Sequence, residues 1–302
     1  MSVTDRLQYE ARARPRQSAV AAGAALMLIA SAVIQLSGPH TNVNELTVGL
    51  IFEHRRFALD LVGALFQAVG WLALGWTLWY LFGCARAREP QLQSFVGVLA
   101  LVGAPLAAIG IVGYVISYGA VAQQFVTHGA QTYPEANRLM GAASLSIFQI
   151  VDYGGELLMA VAFVLTSLNA MRVGLLTRFM GYLGIIGGVL TLFVITPIPV
   201  VQFYWLAALA YLLSGRWPNG LPPAWRTGKA ERWPSAAEVR EQQARARAQR
   251  GKAGGRAPAL TRDAVPASAA AGDGASAETD RPTPARSSAS RSGARRKRKR
   301  RR

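Results

Sequence analysis

Ser146-Ile-Phe-Gln-Ile-Val-Asp-Tyr-Gly-Gly-Glu156 opens an apolar stretch that continues to Ala170. It sets two carboxylates and an amide inside a segment otherwise fit for lipid. On a helix turning 100° per residue, Gln149, Asp152 and Glu156 fall within about 60° of one another. A charged side chain in the middle of a transmembrane helix costs about 3 kcal/mol or more, so such groups normally face a protein interior or a wet cavity. This helix therefore needs neighbours that enclose it.

The rest of the chain supplies them. Apolar runs recur at about 18–36, 57–82, 95–118, 179–196 and 198–214, which with 146–170 makes six. Each is long enough, or nearly so, to cross a hydrocarbon core about 30 Å thick. The fold class expected is all-α: a polytopic membrane bundle of six transmembrane helices in a domain spanning 18–215. A cytoplasmic N-terminal segment, 1–17, precedes it. A juxtamembrane segment with a short polar helix, 216–251, and a disordered basic tail, 252–302, follow it. Ala30-Ser31-Ala32 imitates a signal-peptide cleavage site, but the apolar run continues past it, and an uncleaved first helix is the preferred reading. Pro134 in Pro-Glu-Ala-Asn-Arg-Leu139 predicts a short surface helix with proline in its first turn. Pro105 predicts a kink in the third span. Pro197-Ile-Pro199 predicts a tight turn between the fifth and sixth spans. Gly181, Gly184, Gly187 and Gly188 predict close helix packing.

Composition agrees with a membrane protein. Of 302 residues, 51% are hydrophobic and 16% charged, against about 25% charged in an average soluble protein. The formal net charge is +17, but it is unevenly distributed. Residues 216–302 hold 22 Lys and Arg against 7 Asp and Glu, leaving residues 1–215 near neutral. Heavy use of Ala, Arg, Gly and Pro points to a high-GC bacterial genome. The one cysteine, Cys84, excludes an intrachain disulfide.

Six spans put both termini on one side, and charge decides which. Lys and Arg number 4 before the first span, 2 in the turn at 84–93 and 2 at 171–178, while the opposite side has Arg55, Arg56 and Arg138. The positive-inside rule places both termini in the cytoplasm of a bacterial inner membrane, even without the tail. In that orientation Asp60, Gln67, Gln149, Asp152 and Glu156 all lie in the outer half, beneath Arg55 and Arg56 at the rim. Tyr114, Ser117 and Tyr118 approach the same level.

Two readings of this cluster stand side by side. One is an outward-opening acidic pocket for a proton, a cation or a polar solute. The other, preferred, is internal glue, with Arg55 or Arg56 paired to an acid and the amides satisfying the remaining groups. His40, His54 and His128 fall in outer loops at spacings that match no ligand motif, so no metal site is expected. No P-loop, dinucleotide fingerprint, G-x-S-x-G elbow or H-E-x-x-H pair occurs. Neither a cofactor nor a catalytic residue is expected.

The chain ends in Arg295-Arg296-Lys297-Arg298-Lys299-Arg300-Arg301-Arg302. Eight consecutive bases attract anionic lipid headgroups at about 1 kcal/mol per charge near the surface. They can also grip ribosomal or other RNA through phosphates. Ser235-Ala-Ala-Glu238 reads as a capping box opening a polar helix to about Gly251. Residues 252–294 have no hydrophobic period and are expected to be disordered.

Gly174-Leu-Leu-Thr-Arg-Phe-Met-Gly-Tyr-Leu-Gly-Ile-Ile-Gly-Gly188, and Arg216-Trp-Pro-Asn-Gly-Leu-Pro-Pro-Ala-Trp225 leading to Trp233-Pro-Ser235, resemble uncharacterised six-helix membrane proteins of high-GC bacteria. That family is known as a domain of unknown function. The resemblance spans roughly residues 15–250 and implies the same topology, with no catalytic residue to transfer. The basic end is similar to the tails of some bacterial membrane insertases. The core lacks their intramembrane arginine and long cytoplasmic hairpin, and their function is not carried across. The function expected is that of a structural or accessory inner-membrane protein whose tail is drawn to anionic lipid. The alternatives are a small transporter or ligand sensor, and a tether for ribosomes or RNA.

Overall fold

The computed structural model describes residues 2–38, 46–192, 200–218 and 220–231, with isolated helical positions at 238, 240, 241, 244 and 245. The chain divides into two units, Met1–Gln243 and Ala244–Arg302; Ala244 and Arg245 are the described residues of the second. His40, the Pro197–Pro199 turn, the cap at Ser235, the 252–294 stretch and the basic run 295–302 lie outside the described residues.

The described chain is helical, with no strand among the described residues. Its helices are α1 (Val3–Leu36), α2 (Leu46–Arg88), α3 (Phe95–His128), α4 (Tyr133–Met140), α5 (Ala143–Arg172), α6 (Arg178–Leu192), α7 (Val200–Leu213) and α8 (Pro223–Thr227). Four of them, α1, α2, α3 and α5, are long and apolar enough to cross a membrane, with mean hydropathies of 2.1, 1.8, 2.5 and 1.5 over their best windows. The described parts of α6 and α7 hold 15 and 14 residues, about 22 Å of helix each.

Helices outrun the apolar stretches. α1 starts at Val3 rather than near Ser18, because Ser2 and Asp5 cap it reciprocally: the Asp5 N–H donates to Ser2 Oγ (3.1 Å) and the Ser2 N–H to Asp5 Oδ2 (3.2 Å). α2 starts at Leu46, so Glu53, His54, Arg55 and Arg56 are helical and not part of a connecting loop. Leu50 holds this extension, buried against Val121, Ala122 and Phe125 of the equally extended α3. α4 closes that end with Ala136 fully buried, and proline in its first turn, as the sequence predicts. α3 continues through Pro105 to His128.

Packing runs α1–α2–α3–α5–α6, and α7 returns to α1. Small residues fill the contacts: Ala21, Ala24, Ala100 and Ala107 are all fully buried. At the α3–α5 crossing, Gly110 sits against the backbone of Asp152, and Gly155 against that of Ala107. A side chain at either glycine would displace the partner helix. Large apolar side chains point outward instead: Leu101 is 52% exposed, Ile109 57% and Ile150 71%. Small residues inside and large aliphatics outside is the arrangement lipid selects, because apolar side chains gain little by leaving hydrocarbon while close backbones gain van der Waals contact.

Candidate functional site

The polar residues singled out in the sequence separate into two groups on different helix interfaces. The first joins α2 to the end of α1. Arg56 Nη2 donates to the Ile34 carbonyl (2.9 Å), to Ser37 Oγ (3.3 Å) and to Asp60 Oδ1 (3.3 Å). Its guanidinium also lies 5.6 Å from the centre of the Phe52 ring. The cation thus caps the last turn of α1, where carbonyls without helical partners make the local field negative. Asp60 balances the charge one turn along α2. Seven residues deeper, Gln67 Oε1 accepts from Gln35 Nε2 (2.9 Å) and from Ser31 Oγ (3.4 Å), both on α1. Arg56 Nε is buried without a partner. Arg55 is exposed and takes no part.

The second group lies on α5. Gln149 is exposed, and its Nε2 donates to Tyr153 Oη (3.2 Å). Asp152 is half-buried where α5 crosses Gly110, and its Oδ1 is buried without a hydrogen-bond partner. Glu156, one turn on, is half-buried and faces α6. It lines a small cavity of about 200 Å³ with Tyr153, Leu157, Thr191 and Leu192. Thr191 Oγ1 donates to the Gly187 carbonyl (2.9 Å) and accepts from Gln202 Nε2 of α7 (3.1 Å). Thr191, Gln202 and Tyr153 were not picked out by sequence reasoning. Their signal was present, since Gln202 is a lone amide in an otherwise apolar stretch.

Among the described residues, no hydrogen bond or ion pair joins the α2 group to the α5 group. α3 packs along both α2 and α5, which also touch each other directly; the hydrogen bonds of Asp60 and Gln67 run within α2 and to α1, and that of Gln149 stays on α5. Tyr114 and Tyr118 stack on each other (centroids 6.0 Å apart) and pack against the Leu50 cluster instead. No group of three His, Cys, Asp or Glu side chains converges among the described residues.

A third polar assembly, absent from the sequence-based expectations, closes the opposite end. Arg88 and Glu10 form a two-bond ion pair, Nη1 to Oε1 at 2.8 Å and Nη2 to Oε2 at 2.6 Å, with their side chains 0% and 5% exposed. The remaining guanidinium donors reach the carbonyls of Cys84 (2.8 Å) and Ala224 (2.9 and 3.1 Å). All five donors are used, the condition under which a buried guanidinium is tolerated. The Trp225 ring lies 5.3 Å from this cation and stacks on Tyr80, while its Nε1 donates to the Leu175 carbonyl (3.0 Å). Arg6 donates to the Ala87 carbonyl. This end gathers the start of α1, the end of α2, the α5–α6 turn and α8.

No protein-family model matches the chain, and no curated protein or solved structure matches it.

Chemically, the α1–α2 group pairs Arg56 with Asp60, with the Glu53 carboxylate nearby, and the Arg88 assembly pairs Arg88 with Glu10; both hold helices together. The α5 carboxylates are different: among the described residues they have no counter-charge, and one of them faces a cavity. Such a group can take up a proton, a cation or a hydrogen-bond donor.

Proposed function

We propose that the chain is a six-span protein of the bacterial cytoplasmic membrane, both termini cytoplasmic, with a structural or accessory role. It would belong with the uncharacterised six-helix proteins it resembles. The observation that carries this reading is the mutual satisfaction of polar groups between α1 and α2 at both ends: Arg56 with Asp60 and Ile34, and Arg88 with Glu10. The orientation is supported by where exposed cations gather. Arg12, Arg16, Arg86, Arg172, Arg178 and Arg226 are exposed at the Arg88 end, while Arg55 and Arg138 are exposed at the other. The basic run 295–302 is drawn to anionic headgroups.

Cysteine labelling tests this. Cys84 is buried and serves as a silent background. A membrane-impermeant maleimide should label Arg138→Cys in intact cells and Arg226→Cys after permeabilisation only. The reverse pattern inverts the topology.

A second reading, a site for a proton, cation or polar solute on α5, is favoured by the unpartnered Asp152 Oδ1 and the cavity at Glu156. Reconstituted protein should then release protons on addition of the right solute, and Asp152→Asn or Glu156→Gln should abolish the release. Solute-independent behaviour across a broad screen removes this reading.

A further inference from the structure

We infer that the α5–α6 turn and the segment following α7 together form a binding surface for the phosphodiester headgroup of an anionic lipid, carried by Arg172, Arg178, Arg226 and Lys229. The inference rests on the membrane reading above but is independent of the basic run at 295–302.

Arg172 ends α5 and Arg178 begins α6. The five residues between them, 173–177, form a buried turn. The post-α7 segment is pinned across that turn at two points. The Glu231 N–H donates to the Val173 carbonyl (3.2 Å), and Trp225 Nε1 to the Leu175 carbonyl (3.0 Å). Gly174, at φ +79°, backs directly onto the Glu231 carbonyl, an approach no other residue type permits. These contacts carry Arg226, next to Trp225, and Lys229, two residues before Glu231, to the same end as Arg172 and Arg178.

All four cations are exposed, and among the described residues none has an ion pair or a side-chain hydrogen bond. The contrast with Arg88 on the same end is direct, since its five donors are all consumed within the fold. Glu231, half-buried, is the one acid in the turn and the pinned segment. The surface therefore presents uncompensated positive charge with free N–H donors, which phosphate oxygens match. Two features favour lipid over a free anion. Phe179 and Tyr182, each 58% exposed on the first turns of α6, adjoin Arg178 and offer an apolar surface to acyl chains. Arg172 also ends α5, a helix of membrane-crossing length, and the other three cations lie at the same end of the bundle, where headgroups would lie.

The test uses the full chain purified in detergent, titrated with phosphatidylglycerol or phosphatidylcholine and read by bound lipid in native mass spectrometry and by thermal midpoint. Phosphatidylglycerol should bind and stabilise, and phosphatidylcholine should not. R172Q/R178Q/R226Q/K229Q should weaken phosphatidylglycerol binding by about two to three orders of magnitude, while R172K/R178K/R226K and a variant with Arg295–Arg302 changed to Gln keep it. Should the fourfold variant not fold, R226Q/K229Q should show a smaller loss in the same direction. Unchanged phosphatidylglycerol affinity in the fourfold variant overturns the inference. Equal stabilisation by inorganic phosphate or a short oligonucleotide at matched ionic strength overturns it too. A chain recovered in the soluble fraction of lysed cells would instead overturn the membrane reading itself.

Discussion

Arg88 and Glu10 stand 78 positions apart in the chain and meet through two hydrogen bonds of 2.8 and 2.6 Å in a site almost closed to solvent. A buried pair contributes little over apolar residues of the same shape, because desolvation offsets the attraction. Removing one partner is another matter, since it strands a charge.

Arg88→Met or Glu10→Leu alone should therefore cost about 3–5 kcal/mol, read as a lowered unfolding midpoint in detergent. The double variant should recover most of that loss. A double variant as unstable as the worse single would show that the pair is worth more than its desolvation.

Trp225 joins the segment after α7 to the bundle through three contacts: Tyr80, the Arg88 cation and the Leu175 carbonyl. It is 4% exposed. Trp225→Ala should cost about 3–5 kcal/mol and expose the segment to limited proteolysis. Trp225→Phe, which keeps an aromatic ring but loses the N–H and part of the indole volume, should lose about 1–3 kcal/mol. Cleavage kinetics equal to wild type in Trp225→Ala would mean that the segment is held elsewhere.

Adjacent glycines on α5 make a controlled comparison. Gly155 touches the Ala107 backbone, whereas a methyl group at Gly154 meets nothing within 4 Å. Gly155→Ala should force α3 and α5 apart at about 1–3 kcal/mol. Gly154→Ala should be neutral or slightly stabilising through helix propensity. Paired thermal melts decide it, and equal effects would contradict the crossing described.

Much of this architecture is legible in the chain itself. The long apolar runs correspond to helices, Pro134 starts α4, and the glycines of α6 pack as expected. Boundaries were harder to read, because hydropathy marks where lipid begins and not where hydrogen bonding stops. Leu46–Arg56 is helical through its contact with α3, a tertiary effect. The partners of Asp60 and Gln67 were hidden for a related reason. Depth along a helix can be counted from a sequence, but which neighbour a side chain meets cannot, and here Gln67 meets Gln35 and Ser31 of α1. The Arg88–Glu10 pair was invisible because nothing local links the two residues.

The division of the intramembrane acids is the central claim, and thermal stability in lipid nanodiscs tests it most directly. Asp60→Asn removes the partner of Arg56 and should lower stability by about 1 kcal/mol, the small value reflecting partial exposure of the pair. Asp152→Asn and Glu156→Gln remove charges with no counter-charge among the described residues and should leave stability unchanged or raise it. Loss of stability in the α5 variants, with Asp60→Asn unaffected, would contradict the account.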